Sequence, residues 1–279
     1  MIVNAHQLWK SSNRLLKIQR NPHQRIIYFT RESASYTFMP PEELPDGYFN
    51  WTMTYKRDAD IWFPYGHVTA SKSFRPLAEL KSQWLNALQM KSKKVLWIAS
   101  NCQTMSRREA YVNQLRQYID VDIYGQCGNS TSDYTNLIHQ YKFFLSFENS
   151  LCNDYVTESF FRALQNTLIP VVMGGANYSS LAPPHSYIDA TQWTPQELAL
   201  HLNQLDADDE AYLRYFDWKV NYTVETGVGP MARRALCHLC AKLHSPNPPK
   251  FYPTLVDEMG SQSQCHHQNI PWYHSKPEK

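Results

Sequence analysis

Hydrophobic positions along the chain follow two spacings, which predict strands and helices in turn. Continuous apolar runs predict buried strands at 24–29, 95–99, 121–124, 142–147 and 168–173. Apolar positions that recur every three to four residues predict helices at 77–89, 106–118, 154–166, 195–205 and 209–222. From residue 95 onward strands and helices alternate, which is typical of βαβ units and of a parallel sheet.

The same pattern divides the chain into two units and a tail. We predict a first unit at 1–92 and a second at 93–244, joined by a linker around Lys91–Lys94. Prolines predict a loop at 39–47, and proline and polar residues predict a loop-like tail at 245–279. The predicted fold class is therefore α/β, with two Rossmann-like units facing each other across a cleft.

Composition narrows the classes of function. The net charge is only +2, from 27 basic and 25 acidic residues, so no long-range field indicates a nucleic-acid partner. Only nine glycines are present, so a phosphate group would be held by side chains or a helix N-terminus, not by a glycine-rich loop. No apolar run approaches the roughly 20 residues that cross a bilayer.

Sequons and cysteines favour a protein of the secretory pathway. Glycosylation sequons predict glycans at Asn50, Asn129, Asn177 and Asn221. Six cysteines accompany them, which is typical of an oxidising compartment. Because the first residues do not resemble a signal peptide, we expect the natural protein to have further sequence before residue 1.

Two interpretations of the C-terminal cysteines remain open. Cys237 and Cys240 form a Cys-x-x-Cys pair, and Cys265-His266-His267 follows downstream. These residues could bind zinc in an interaction module, although their spacing matches no common zinc finger. A disulfide near the C-terminus is the interpretation that we favour.

Polar side chains are concentrated where the strand at 142–147 ends. Ligands of open parallel sheets lie beyond the carboxyl ends of strands, and the N-terminus of the following helix suits a diphosphate. Helix capping by Asp154 or Thr157 accounts for some of these residues, but it does not account for Glu148 and Asn149.

The segment at 147–175, FENSLCNDYVTESFFRALQNTLIPVVMGG, closely resembles the donor-binding signature of α1,3-fucosyltransferases. Three further blocks occur in the family's order: FNWTMTYKRDAD at 49–60, WIASNC at 97–102 and PPHSYID at 183–189. The Asn-Cys and Cys-Gly pairs resemble the invertebrate core-type members.

This resemblance implies a GT-B fold and an inverting transfer of fucose from GDP-fucose to the 3-hydroxyl of an N-acetylglucosamine in an N-glycan. It implies no required cofactor, with stimulation by Mn²⁺ left open. It also implies a location in the Golgi lumen and a membrane anchor and first strand before residue 1, so that the first unit would be incomplete here.

The resemblance assigns Glu32 as the catalytic base, although a surface ion pair with Arg31 is the alternative. It assigns donor binding to Arg108, Asn149, Tyr155 and Glu158, with Arg108 and not Arg107 at the diphosphate. Two Asp-x-Asp patterns, at 58–60 and 120–122, could indicate a metal, but we predict no metal ligands.

One departure from the family leaves two functions open. The family has a phosphate-binding lysine after the glutamate of this segment, and Ser159 occupies that position. The chain is therefore predicted to be an active fucosyltransferase or, alternatively, an impaired relative that binds sugar nucleotide without efficient transfer.

Overall fold

Two parallel sheets form the centre of the computed structural model, which describes residues 1–6, 8, 20–21, 23–37, 44–73, 75–131, 133–246, 248–252 and 265–266. The strands of the first sheet are β1 (Ile2–Asn4), β2 (Ile27–Phe29), β3 (Trp51–Thr54) and β4 (Ile61–Trp62). They lie in the order β1-β2-β3-β4 and are all parallel. The strand predicted at 24–29 is confirmed as β2.

The second sheet contains the strands predicted from residue 95 onward. They are β6 (Lys93–Ile98), β7 (Val121–Tyr124), β8 (Tyr141–Phe147), β9 (Ile169–Met173) and β10 (Ile188–Asp189). The order is β10-β9-β8-β6-β7, and all neighbours are parallel. Every residue of β9 is buried, as expected for a strand that is covered on both faces.

Helices connect and cover the strands of this second sheet. They are α1 (Leu77–Gln89), α2 (Arg108–Leu115), α3 (Tyr134–His139), α4 (Glu158–Gln165), α5 (Pro195–Ala207) and α6 (Asp209–Arg214). Helix α5 begins with a capping box between Thr194 and Glu197 and has Pro195 in its first turn. The helices predicted at 77–89 and 195–205 are confirmed as α1 and α5.

Three predicted boundaries are wrong. The helix predicted from residue 154 begins only at Glu158, because Asp154 has a left-handed φ of 60° that cannot continue a helix. Lys93 and Lys94 belong to β6 and not to a linker. The helix predicted at 209–222 ends at Arg214, and a short 3₁₀ helix, Asp217–Val220, follows it.

The sequence patterns missed the elements that join the two units. Strand β5 (Gly66–Ala70) pairs antiparallel with β11 (Tyr222–Thr226), far along the chain. Helix α7 (Val228–His244) then packs Met231, Ala235 and Leu239 against the first sheet. The chain thus returns to its first unit near the end, and the division at residue 92 stays a prediction.

A buried carboxylate fixes the segment after α7 to β3. Asp60 accepts hydrogen bonds from the Tyr252 hydroxyl at 2.6 Å and from Nζ of Lys250 at 3.0 Å. Burial alone would raise the pKa of Asp60, but hydrogen bonds from Tyr252, Thr52 and Lys250 outweigh it and lower the pKa. Most of the predicted loop at 39–47 and most of the tail after Tyr252 lie outside the described residues.

Candidate functional site

The carboxyl ends of the two sheets face each other, because the loops that follow their strands are in contact. Ser33, after β2, and Ser150, after β8, share a buried hydrogen bond with their Oγ atoms 2.7 Å apart. The hydroxyl of Tyr36 accepts a hydrogen bond from Nδ2 of Asn101, after β6, at 3.4 Å. The predicted α/β fold with two units facing a cleft is confirmed, and this cleft is the candidate site.

Glu148, the first residue after β8, has a buried carboxyl group. Its Oε1 accepts hydrogen bonds from the N–H of Thr157 at 2.8 Å and from the Thr157 hydroxyl at 3.2 Å. Thr157 is the N-cap of α4, so capping does account for Glu148, contrary to the sequence argument. Burial raises the pKa of Glu148 to about 8, against the opposing effects of Thr157 and Arg108.

Arg108 begins α2 and lies beneath the strand ends. Its guanidinium donates to the carbonyl of Phe147 at 2.5 Å and to the carbonyl of Asn101 at 3.2 Å. Burial lowers its pKa, with Glu148 opposing, but an arginine remains charged at neutral pH. Arg107, by contrast, is exposed and precedes the helix with a left-handed φ of 50°. The structure therefore places Arg108 nearer to the strand ends than Arg107.

Asn149 lies in the loop after β8 and is half-buried. Its Oδ1 accepts a hydrogen bond from the Ser150 hydroxyl at 2.9 Å, and its carbonyl accepts one from the N–H of Ser106 at 3.1 Å. The Ser106 hydroxyl also donates to the carbonyl of Glu148 at 2.7 Å. These bonds hold the loop after β8 against the residues that precede α2. Asn149 and Arg108 are therefore held close together at the same end of the second sheet.

Tyr155 lies between the units and does not present a face to the cleft. Its ring packs edge-on against Tyr55 at 5.0 Å and against Tyr65 at 6.3 Å between centroids, and only 2% of it is exposed. Its ring supports the loop between β8 and α4, at 148–157, which is called the donor loop below because the resemblance assigns donor binding to it. The assignment of Tyr155 to the donor stays a prediction.

Glu158 and Ser159 form the start of α4. Glu158 is exposed and is the acidic residue of the first turn. The Ser159 hydroxyl lies 3.1 Å from the Thr157 hydroxyl. The first turn of α4 therefore offers carboxylate and hydroxyl oxygens and no cation.

Glu32 is exposed and lines a cavity of about 420 Å³ at the carboxyl ends of β1 and β2. Other lining residues are Asn4, His6, Phe29, Arg31 and Tyr36. Its backbone N–H donates to the Thr30 hydroxyl at 3.2 Å, and this bond fixes the loop at Glu32. The exposed carboxylate is therefore positioned by the backbone of this loop. The alternative ion pair is not observed among the described residues, since the Arg31 guanidinium lies over the ring of Tyr65.

Three of the four carboxylates in the two Asp-x-Asp patterns have ion-pair partners. Asp58 forms an ion pair with Lys56 at 3.2 Å, and Asp60 belongs to the network with Lys250 described above. Asp122 pairs with Lys93 at 2.8 Å. Within the described residues, no group of His, Cys, Asp and Glu side chains is arranged to hold a metal ion.

The cysteines form two disulfides. Cys102, after β6, pairs with Cys127, after β7, and Cys152 pairs with Cys265 near the C-terminus. The favoured C-terminal disulfide is thus present, but its partner lies in the donor loop and not in the Cys-x-x-Cys pair. Because Cys265 is oxidised, it cannot serve the proposed zinc site, and Cys237 and Cys240 are exposed thiols on α7. His267 lies outside the described residues.

The predicted glycosylation sites differ in accessibility. Asn129, Asn177 and Asn221 are exposed, so their side chains are available to a glycan. Asn50 is 1% exposed; its Oδ1 accepts from the N–H of Ile26 at 2.9 Å and its Nδ2 donates to the Lys250 carbonyl at 3.0 Å. A glycan on Asn50 would break these bonds, so burial argues against that site.

Comparisons with known proteins agree with this architecture. Solved structures described as alpha1,3-fucosyltransferase with GDP-fucose and with GDP superpose with TM-scores of 0.54 and 0.53, each at 17% identity. The first match covers 82% of this chain and 78% of the other; the second covers 88% and 90%. At this identity the likeness shows the fold alone, and it places the chain among the GT-B proteins.

Sequence comparison then gives the family. The profile described as Glycosyltransferase family 10 (fucosyltransferase) C-term matches residues 88–258, and Fucosyltransferase, N-terminal matches residues 1–66. The chain belongs to glycosyltransferase family 10, the fucosyltransferase family.

Two relatives from Drosophila melanogaster are similar to the chain over most of its length. Alpha-(1,3)-fucosyltransferase C is 36% identical, covering 91% of this chain and 60% of the relative. Glycoprotein 3-alpha-L-fucosyltransferase A is 39% identical, covering 80% of this chain and 45% of the relative. The chain thus spans about half the length of these relatives. None of its described helices is long and apolar enough to cross a membrane.

Proposed function

We propose that this chain transfers fucose from GDP-fucose to the 3-hydroxyl of an N-acetylglucosamine in an N-glycan, with inversion at the anomeric carbon. The observation that carries this proposal is the position of Glu32. It lines the cavity at the carboxyl edge of the first sheet, and the loop beside it contacts the loop after β8 in the second sheet through Ser33 and Ser150. An acceptor in the cavity would therefore lie beside a donor held by the second unit.

In this mechanism Glu32 takes the proton from the acceptor hydroxyl as its oxygen attacks the anomeric carbon. Attack on the face opposite the departing GDP inverts that carbon. Arg108 and the N–H groups at the start of α4 stabilise the negative charge that develops on the diphosphate. Asn149 and Glu158 bind the donor, and Tyr155 supports the loop that carries them.

The family membership supports the transfer class, and one Drosophila relative is named a glycoprotein fucosyltransferase, which supports a glycoprotein acceptor. By the same reasoning we propose action in the Golgi lumen, on glycoproteins, without a required metal. Any stimulation by Mn²⁺ would act outside the described carboxylates, because Asp60 and Asp122 already have ion-pair partners.

Ser159 supports a second candidate function, that of a binder of sugar nucleotide with slow transfer. The first turn of α4 has no cation to stabilise the leaving diphosphate, which would affect turnover more than folding. Both candidate functions predict that the chain binds GDP, but only the first predicts efficient transfer of fucose.

The test is Glu32→Gln, which keeps the shape of the side chain and removes its basicity. We expect turnover with GDP-fucose and a panel of N-glycans to fall by about 10²-fold or more, while GDP affinity by calorimetry stays within about twofold. Glu210→Gln is the matched control, because Glu210 is an exposed carboxylate of α6 far along the chain.

Unchanged turnover in Glu32→Gln would reject Glu32 as the base. A wild-type chain that binds GDP but transfers no fucose to any glycan of the panel would favour the second candidate.

A further inference from the structure

Among the described residues, the first turn of α4 in the candidate donor site contains no cationic side chain. A nucleoside diphosphate brings two or more negative charges, whereas the first turn of α4 contributes Glu158 and Ser159. Arg108 is close by, but its two terminal nitrogens already donate to the carbonyls of Phe147 and Asn101. A diphosphate bound here would gain from a second arginine.

Arg31, at the opposite side of the cleft, has the position and the free hydrogen-bonding capacity for this. Its guanidinium carbon lies 3.9 Å from the ring centroid of Tyr65 and 4.9 Å from that of Phe63. Its Nε is buried and, like Nε of Arg108, has no hydrogen-bond partner in the described part of the chain. The two aromatic rings hold the guanidinium group beside them, so a ligand that reached it would supply the missing acceptor.

Tyr65 connects Arg31 to the start of α4. Its hydroxyl donates to the Arg31 carbonyl at 2.5 Å, and its ring is edge-on to Tyr155 of the donor loop. Gly66 follows, and a Cβ there would lie 2.2 Å from Cγ of Phe161, so β5 begins in direct contact with the first half of α4. The ring of Tyr65 therefore lies between Arg31 and the residues around the start of α4, where the donor is proposed to bind.

Charges from both units converge on the Tyr65 hydroxyl. Burial raises its pKa, Glu32 raises it further, Arg31 opposes the shift, and Glu158 and Glu148 add smaller increases. The carboxylates of Glu32 and Glu158 thus lie around Tyr65 together with the guanidinium of Arg31. An anionic ligand at this point would be repelled by these carboxylates unless the guanidinium faced it.

We propose that Arg31 binds the diphosphate of the nucleotide-sugar donor across the cleft and provides the positive charge that the first turn of α4 lacks. This inference rests on the proposed function. Arginine binds phosphate oxygens through two parallel N–H bonds. The donor diphosphate would connect the two units, since Arg31 follows β2 and Arg108 follows β6.

The test measures GDP affinity by calorimetry in four chains: wild type, Arg31→Met, Arg31→Lys and the double variant Arg31→Met with Ser159→Lys. Methionine retains the apolar stem against Tyr65 and removes the charge. We expect Arg31→Met to weaken GDP binding by about tenfold to a hundredfold, and Arg31→Lys by less. Lysine at 159 should restore much of the affinity in the double variant, because it returns a cation to the same diphosphate.

Arg214→Ala is the matched control, since Arg214 is an exposed arginine of α6 whose loss changes net charge equally. Thermal unfolding of each variant tests the fold. Wild-type GDP affinity in Arg31→Met, or a raised KM for the glycan alone, would overturn the proposal and leave the proposed function intact. A wild-type chain that binds no GDP would overturn both.

Discussion

The carboxyl group of Glu148 is buried, and burial makes its charged form unfavourable. The pKa rises from 4.5 to about 8 in the folded chain. Between these values the folded state holds a proton that the unfolded state releases. The contribution of Glu148 to stability is therefore greatest below about pH 4.5 and falls as the pH rises, by at most about 1.4 kcal/mol per pH unit, until the folded carboxyl also ionises near pH 8.

We expect Glu148→Gln to remove this pH dependence. Glutamine keeps an oxygen that can accept the N–H of Thr157 but cannot ionise, so α4 keeps its cap. Urea unfolding at about pH 5.5, 7 and 8.5 should show the variant gaining stability relative to wild type as the pH rises. Glu109→Gln is the control at a half-buried carboxylate nearby. A constant difference between variant and wild type across these pH values would contradict the raised pKa.

Helix α7, near the end of the chain, packs against the first sheet and stabilises it. Met231, Ala235 and Leu239 recur every fourth residue and pack against Trp51, Met53 and Ile61 of the first sheet. Leu236 and Leu243 of the same helix lie outside this packed set and are exposed, at 52% and 55%. The buried face of α7 therefore covers the first sheet with a segment from the end of the chain.

Met231→Ala should destabilise the chain by about 2–5 kcal/mol, because Met231 is fully buried and its removal leaves a cavity. Leu236→Ala on the same helix should change stability by less than about 0.5 kcal/mol. Chemical denaturation of both variants measures the contrast. Equal effects at the two positions would mean that α7 is not held against the first sheet.

At the scale of the whole molecule, two disulfides constrain segments of different length. Cys152–Cys265 joins residues 113 apart and connects the tail to the donor loop, whereas Cys102–Cys127 joins residues 25 apart within one edge of the second sheet. A longer closed loop removes more entropy from the unfolded chain.

We therefore expect the double variant Cys152→Ser/Cys265→Ser to lose about 5 kcal/mol and Cys102→Ser/Cys127→Ser about 3.5 kcal/mol, by the loop-entropy relation. Thermal unfolding of the two variants compares them directly. Serine at the fully buried Cys152 adds a desolvation cost in the same direction. A larger loss from the shorter loop would show that local packing of Cys127 against the main core dominates.

Local patterns were enough to predict most strands of the second sheet, whereas the site residues were assigned by resemblance and stay predictions. Apolar runs predicted its strands from β6 to β9, because a parallel sheet covered on both faces needs continuous hydrophobic segments. The polar residues after β8 were predicted as the site for the same reason, since strand ends and helix starts follow from the pattern. The amino-acid types at Glu32 and Arg108 then limited the chemistry.

The tertiary structure decided which of these groups meet. No local pattern indicates that β11 pairs with β5, that α7 covers the first sheet or that Cys152 pairs with Cys265, because these contacts join residues more than a hundred positions apart. Burial likewise separated side chains that look alike in sequence: Asn50 is enclosed while Asn177 is exposed. The sequence alone suggested for Arg31 only an ion pair with its neighbour Glu32. Its stacking on Tyr65 joins residues 34 positions apart within the first unit, which sequence spacing does not encode.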